Sequence, residues 1–244
     1  MCLYRYSDYK FNASLFNLGI LRVGTLYDFR RAEHEKGIQD DLEGKKTLTK
    51  MVPSWNEIQN TRKSSIISPE GQKVDVYLHE GPGGQTYGAF KTGGCKLSNL
   101  SVKREINSKD CFVLCFSWHN SSDVSNCLGG ANSCLRIDDT NSFINEVTIA
   151  LNTCIPVYFL GLKKVIYKSR IEVWNSRNLG TNPLFIKDKS FEEQKEVRAI
   201  WLPKISANFA RVNLKINPVV LANKNLGKFC SLSSSLFKIY NQRL

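Results

Sequence analysis

Cys111-Phe112-Val113-Leu114-Cys115-Phe116-Ser117-Trp118 is the clearest buried strand in the chain. A short apolar run without polar alternation reads as a strand covered on both faces, because a half-exposed strand shows a period of two. The run turns polar at Ser117, and His119 to Asn126 reads as a loop.

Upstream of that strand, Leu3-Tyr4-Arg5-Tyr6 has the aromatic alternation of a short opening strand. Leu15, Leu18 and Ile20 cluster around Gly19 like a short helix that stops at a glycine, and Leu21 to Leu26 reads as a second strand. Residues 50–110 hold Pro53, Pro69 and the Gly81-Pro82-Gly83-Gly84 turn cluster, with Val74 to Leu78 as a strand. This stretch reads as inserted hairpins and loops. Downstream, Cys134-Leu135-Arg136-Ile137 is a short strand. Phe143, Val147, Ala150 and Leu151 recur at helical spacing over 140–152, with Thr140 or Asn141 as the N-cap. Ile155 to Leu160 and Lys163 to Tyr167 read as a hairpin turning at Gly161. Val197 to Leu202 is a strand stopped by Pro203. The tail holds strand-like Val212 to Ile216 and Pro218 to Leu221, then a short helix-like end.

Strands dominate and helices are few, which predicts one α+β domain over residues 1–244 and not a regular strand–helix alternation. No GxGxxG follows a strand and no GxxxxGK[ST] occurs, which argues against a dinucleotide-fold dehydrogenase and a P-loop NTPase. Lys and Arg total 34 against 22 Asp and Glu, a net charge of +12 spread along the chain. That balance favours an acidic partner such as nucleic acid or a phosphate-rich ligand; the alternative is a basic protein with no such partner. The opening Met-Cys-Leu-Tyr is unlike a secretory signal, so the eight cysteines are expected to be reduced and the protein cytoplasmic, with no membrane partner. Cys111 and Cys115 fall on one face of their strand but about 13 Å apart, too far for one metal.

Three segments carry candidate chemistry. Arg5 on the opening strand either meets an anion or lies in water at a sheet edge. Ser117 closes the buried strand where a ligand could meet its hydroxyl, and Trp118 could stack on a ring; the alternative is a strand end with a packed Trp. Glu196 begins another core strand, with Gln194 two residues earlier on the same side; they either face a cleft or form a solvated acidic turn. A carboxylate facing a cleft can stabilise positive charge developing on a sugar.

In order and context these segments resemble the ADP-ribosyltransferases of the arginine–serine–glutamate class. Arg5 matches the first-strand Arg, Ser117 the middle-strand Ser, and Gln194-Lys195-Glu196 the Gln/Glu-x-Glu motif. The chain is also similar to a little-described bacterial and phage family, through Leu3-Tyr4-Arg5-Tyr6, Gly19-Ile20-Leu21, Asp40-Asp41-Leu42-Glu43-Gly44, Cys115-Phe116-Ser117-Trp118 and Gln194 to Arg198. The resemblance implies a split β-sheet core and NAD as substrate, with no metal. It implies that Arg5 holds the pyrophosphate, Ser117 supports the nicotinamide ribose, Glu196 is the catalytic carboxylate and Gln194 orients the acceptor. Tyr4 and Trp118 join the cofactor-binding set; the aromatic that sandwiches nicotinamide is one of Tyr4, Tyr6, Trp118 and Trp174. Gln in place of Glu at 194 argues against an arginine acceptor. The positive charge points to a nucleic acid acceptor, RNA ahead of DNA, with a protein acceptor as the alternative, and to a toxin or phage-defence effector that an antitoxin or inhibitor protein could restrain. The sequence departs from the family's Ser-Thr-Ser at Ser117-Trp118-His119. This departure favours the main alternative, a non-catalytic nucleic-acid-binding or partner-inhibiting protein on the same scaffold.

Two further features stand apart. Asp40, Asp41 and Glu43 could hold a divalent metal, as in a nuclease, or form a solvated turn at Gly44. Basic residues interleave with aromatics in Phe29-Arg30-Arg31, Lys163 to Lys168 and Arg170 to Trp174, which suits phosphates and stacked bases, or else a lysine-protected edge strand.

Overall fold

The structure, a computed structural model, describes residues 2–30, 40–52, 61–67, 73–81, 85–92, 100–129, 131–173, 179–204 and 215–233. In chain order these form β1 (Leu3–Ser7), α1 (Tyr9–Leu18), β2 (Ile20–Thr25), β3 (Lys45–Val52), β4 (Thr61–Ile67), β5 (Lys73–Gly81), β6 (Gln85–Thr92), β7 (Leu100–Asn107) and β8 (Phe112–Ser117). There follow α2 (Ser122–Cys127), β9 (Ser133–Ile137), α3 (Thr140–Cys154), β10 (Val157–Lys164), β11 (Ile166–Tyr167), β12 (Ile171–Val173), β13 (Ile186–Lys187), β14 (Glu196–Pro203), β15 (Val219–Ala222) and β16 (Cys230–Leu232). Short 3₁₀ turns at Pro183–Phe185, Lys189–Gln194 and Leu226–Phe229 connect them. The fold is α+β, as the sequence predicts.

The chain divides into two compact units. Met1–Lys45, Asn107–Arg170 and Thr181–Leu244 make the larger one; Lys46–Ile106 and Ile171–Gly180 make the smaller. In the smaller unit β4, β5 and β6 pair as an antiparallel meander. A second sheet there runs β12-β3-β7, with β12 parallel to β3. Lys46 is buried in this unit and donates to Glu172 Oε2 at 2.8 Å.

The larger unit is built on an antiparallel sheet in the order β10-β14-β8-β1-β9-β16, with β2 pairing both β8 and β15. β8 is apolar from Phe112 to Phe116, and its side chains enter hydrophobic clusters on both faces. Phe112, Leu114 and Phe116 enter a core with Phe143, Ile144, Val147 and Leu151 of α3. Cys111 and Val113 enter a second cluster with Leu26, Leu184, Phe185 and Ile200. β14 divides its side chains likewise: Val197, Ala199 and Trp201 join the α3 core, while Ile200 joins the other cluster. Buried Trp201 satisfies its indole by donating to Thr148 Oγ1 on α3 at 2.8 Å. α1 is capped by Asp8, which accepts from the Lys10 amide, and stops at Gly19 with φ of +66°. A Cβ on Gly19 would lie 2.0 Å from the Asn223 carbonyl oxygen, so the glycine serves close approach as well as the turn.

Several local expectations change. Gly161 does not turn a hairpin: β10 is one strand, and its register against β14 shifts between Phe159 and Gly161 (φ +139°). The freedom of glycine is used for a bulge. The polar stretch 119–126 contains α2, started by Ser121, whose hydroxyl accepts from the Val124 amide; a six-residue helix is too short to show an apolar period. α3 is capped by Asp139, not Thr140 or Asn141; its carboxylate accepts from the Ser142 amide at 3.1 Å. Within the Val212 to Ile216 reading, residues 212–214 lie outside the described residues, and 215–218 form no strand. Arg31, Cys95 and Trp174 also lie outside the described residues.

Candidate active site

One edge of β8 pairs with β14 from Glu196↔Ser117 to Trp201↔Phe112. The other edge is shared. β1 meets it at Tyr4↔Ser117, and β2 meets it at Gly24↔Val113 and Thr25↔Phe112. The sheet therefore forks along β8. A cavity of about 650 Å³ is lined by residues of both arms: Tyr4 to Ser7 of β1, and Ile20, Arg22 and Gly24 of β2. Val113 to Ser117 line it, as do Gln194, Glu196 and Arg198. That volume lies within the roughly 300–1,000 Å³ of small-molecule clefts.

Arg5, Ser117, Gln194 and Glu196 thus line one cavity, together with Tyr4. Trp118 does not line it. Its ring is exposed, with Lys164 Nζ 4.2 Å from the ring centroid. Among the nicotinamide-stacking candidates Tyr4 and Tyr6 line the cavity, and Phe11 and Phe29 do so without having been singled out in the sequence.

Glu196 is buried and ionised. Burial pushes its carboxyl up, but Arg198 and Lys187 outweigh that and hold it well below the usual carboxylate range. Arg198 Nε donates to Oε1 at 2.6 Å and Lys187 Nζ to Oε2 at 2.9 Å. The strand period explains Arg198: it lies two residues beyond Glu196, on the same face of β14. Its guanidinium is fully buried and also clasps Glu43 through both terminal nitrogens, at 2.5 and 2.8 Å. Burial works against the Arg198 charge, but Glu196 and Glu43 keep it protonated well above its ordinary range. The Glu196 amide donates to the Tyr167 hydroxyl at 2.7 Å. Each carboxylate oxygen can accept more than one hydrogen bond, so these contacts leave Glu196 capacity for a sugar hydroxyl.

Lys195, between Gln194 and Glu196, has φ of +47°, and no other described non-glycine residue has a positive φ. Its carbonyl accepts from the Ser117 hydroxyl at 3.3 Å and from the Trp118 amide at 3.0 Å. The left-handed residue thereby ties the end of β8 to the start of β14 and fixes Ser117 beside Glu196.

Arg5 lines the cavity from β1. Its guanidinium donates to Asn12 Oδ1 on α1. Asn12 is buried and is itself held through its Nδ2, which donates to Ser133 Oγ at 2.7 Å and to the Arg5 carbonyl at 3.3 Å. Arg5 forms no ion pair with a carboxylate among the described residues. Burial pulls it down to about 10. A half-buried guanidinium held by a neutral amide is suited to a ligand's anion. Arg5, Arg22, Lys187 and Arg198 give the lining four cations against the two carboxylates Glu43 and Glu196.

The acidic run near Gly44 has a different role from either reading made of it. Asp40 pairs with Arg170 and Glu43 with Arg198. Two of the three carboxylates are thus divided between two arginines. Among the described residues no group of three His, Cys, Asp or Glu converges where a metal ion could sit. The described cysteines are free thiols, and no described helix is long and apolar enough to cross a membrane. No family model, curated protein or solved structure matches the chain.

Proposed function

We propose that the chain is an NAD-dependent mono-ADP-ribosyltransferase that modifies a nucleic acid, RNA ahead of DNA. One observation carries the reading: Arg5, Ser117, Gln194 and Glu196, which span 192 positions of sequence from first to last, line one cavity at the fork of the sheet. These are the residues through which the sequence resembles that enzyme class. Arg5, a half-buried cation without a carboxylate partner among the described residues, binds the pyrophosphate. Ser117 and the Lys195 carbonyl shape the nicotinamide-ribose end. Glu196, kept ionised by its neighbours, accepts a ribose hydroxyl and stabilises the charge that grows at C1′. The bond from C1′ to the nicotinamide nitrogen breaks and its electron pair leaves with neutral nicotinamide. A lone pair of the nucleic acid acceptor forms the new bond to C1′, and the acceptor's displaced proton passes to solvent. A toxin or phage-defence effector, restrained by an antitoxin or inhibitor protein, fits such chemistry.

One observation favours a second reading. Both oxygens of Glu196 already accept from buried cations, as in a network that only holds a scaffold together. In that case the protein binds nucleic acid without reacting.

Adenylate-labelled NAD, incubated separately with single-stranded RNA, single-stranded DNA and lysate protein, separates the two. The transferase reading expects label on one polymer, lost in Arg5→Met and in Glu196→Gln. Glu196→Asp keeps a carboxylate near Arg198 should the Gln variant fold poorly, and it too should lose transfer. Polymer binding without label from the folded wild-type chain would establish the second reading instead.

A further inference from the structure

We infer that the adenine of the dinucleotide is read by the backbone edge of β2 at Arg22; this rests on the transferase reading above. In an antiparallel sheet, alternate residues of a strand aim their N–H and C=O groups at opposite neighbours. At the ends of β8, the Trp118 amide donates to the Lys195 carbonyl on the β14 side, and the Cys111 carbonyl accepts from the Leu26 amide on the β2 side. Val113, Cys115 and Ser117 share the parity of Cys111, so their backbone groups aim at the edge that β1 and β2 share. Around β2, the Gly19 carbonyl accepts from the Asn223 amide on the β15 side, and the Leu26 amide donates on the β8 side. Arg22 shares the parity of Leu26. β2 meets β8 at Gly24↔Val113 and Thr25↔Phe112. In that register Arg22 and Cys115 would be the next residues to exchange backbone hydrogen bonds, and the strands have parted before them. Across this gap neither backbone has a hydrogen-bond partner among the described residues, and both residues line the cavity. An N–H and a C=O held side by side on a strand recognise a planar group that carries an acceptor beside a donor.

The other end of the cavity sets the direction of the ligand. Ser117, beside Glu196, lies about 13 Å along β8 from Val113 and takes the nicotinamide ribose in the transferase reading. Arg5 on β1 takes the pyrophosphate, which leaves the β2 arm for the adenylate half. That arm is lined by Phe11, Ile20 and Val220, apolar side chains that are exposed and suit the faces of a ring. Arg22 adds a cation there, with one terminal nitrogen held by buried Asp28 at 2.6 Å and half of its side chain exposed. Adenine carries its N6 amino donor beside ring-nitrogen acceptors. N6 donates to the Arg22 carbonyl while a ring nitrogen accepts from the Arg22 amide. Guanine has a carbonyl oxygen in place of N6 and would set acceptor against acceptor. Sequence pattern gives no sign of this site, because an open backbone edge depends on where two strands part.

The test is calorimetric titration of the full chain with NAD and with an analogue that carries unsubstituted purine in place of adenine. The analogue lacks the N6 amino group and is otherwise the same, so no variant protein is needed. It should bind roughly tenfold more weakly, the effect of leaving one carbonyl unpaired in the site. Val220→Glu locates the subsite. Val220 is exposed and tolerates the change, and a carboxylate there opposes the adenylate phosphate. NAD affinity should fall by roughly tenfold in that variant too. Equal affinities for NAD and the purine analogue, or wild-type NAD affinity in folded Val220→Glu, would overturn the inference while leaving the transferase reading intact. A wild-type chain that binds no NAD would overturn both.

Discussion

Glu196 is a residue at which two large effects oppose each other. Burial favours its neutral form; Arg198 and Lys187 favour the charged one and prevail. A carboxyl whose folded value is depressed contributes stability that is fully present above its unfolded value near 4.3 and is lost as pH falls through the folded value. The wild-type protein should therefore keep this contribution across neutral and mildly acidic pH and begin to lose it only below about pH 4. Glu196→Gln removes that acid dependence. It also leaves Lys187 buried without a carboxylate, at a cost of about 3–5 kcal/mol. Denaturant unfolding of both proteins at pH 3 and pH 7 checks this: the gap between them should narrow at the lower pH, and a gap independent of pH would contradict the account. At this scale the candidate site was partly legible in the sequence. Arg5, Ser117 and Glu196 were legible because each lies in or at the end of a strand with a clear apolar pattern. The pairing of Glu43 was not, because its partner Arg198 is 155 residues away and no local period reports such a contact.

Among elements, α1 does more than cover the sheet. Its Asn12 carries the Arg5 guanidinium, and Asn12 is braced by Ser133 on β9. Asn12→Leu keeps the volume and the helix but removes the anchor. It should weaken NAD binding by roughly tenfold or more, the worth of one hydrogen bond to a charged group, while the chain still folds. Calorimetric titration of NAD measures it; unchanged affinity would show that α1 does not orient Arg5. Strand and helix positions were largely legible from apolar periods, as β8, β14 and α3 illustrate. Gly161 and α2 were misread for a physical reason. A glycine between two apolar runs serves a turn or a bulge equally well, and only the pairing of β10 with β14 decides between them. The fork along β8 was likewise invisible to local pattern, since it depends on two strands sharing one edge.

For the whole molecule, the excess of 34 basic over 22 acidic residues is the long-range counterpart of the cation-rich cavity. Exposed rings carry lysines on their faces: Lys164 lies over Trp118 and Lys204 over Tyr158, at 4.2 and 4.7 Å. Such pairs suit the phosphates and bases of a single strand. Affinity for single-stranded RNA should fall linearly with the logarithm of salt concentration, and Lys164→Ala should reduce that slope by about 0.7 if Lys164 neutralises one phosphate. Filter binding across a salt series reads the slope; a salt-independent affinity would remove nucleic acid from the account.

The central claim is a stoichiometry. NAD labelled in the nicotinamide ring with one isotope and in the adenylate with another, mixed with the RNA that the chain binds, gives both halves of the reaction in one tube. The account predicts one nicotinamide released for each adenylate that becomes fixed to RNA or is hydrolysed, with the RNA-bound share absent in Arg5→Met. RNA bound tightly while both labels stay together in intact NAD would contradict it.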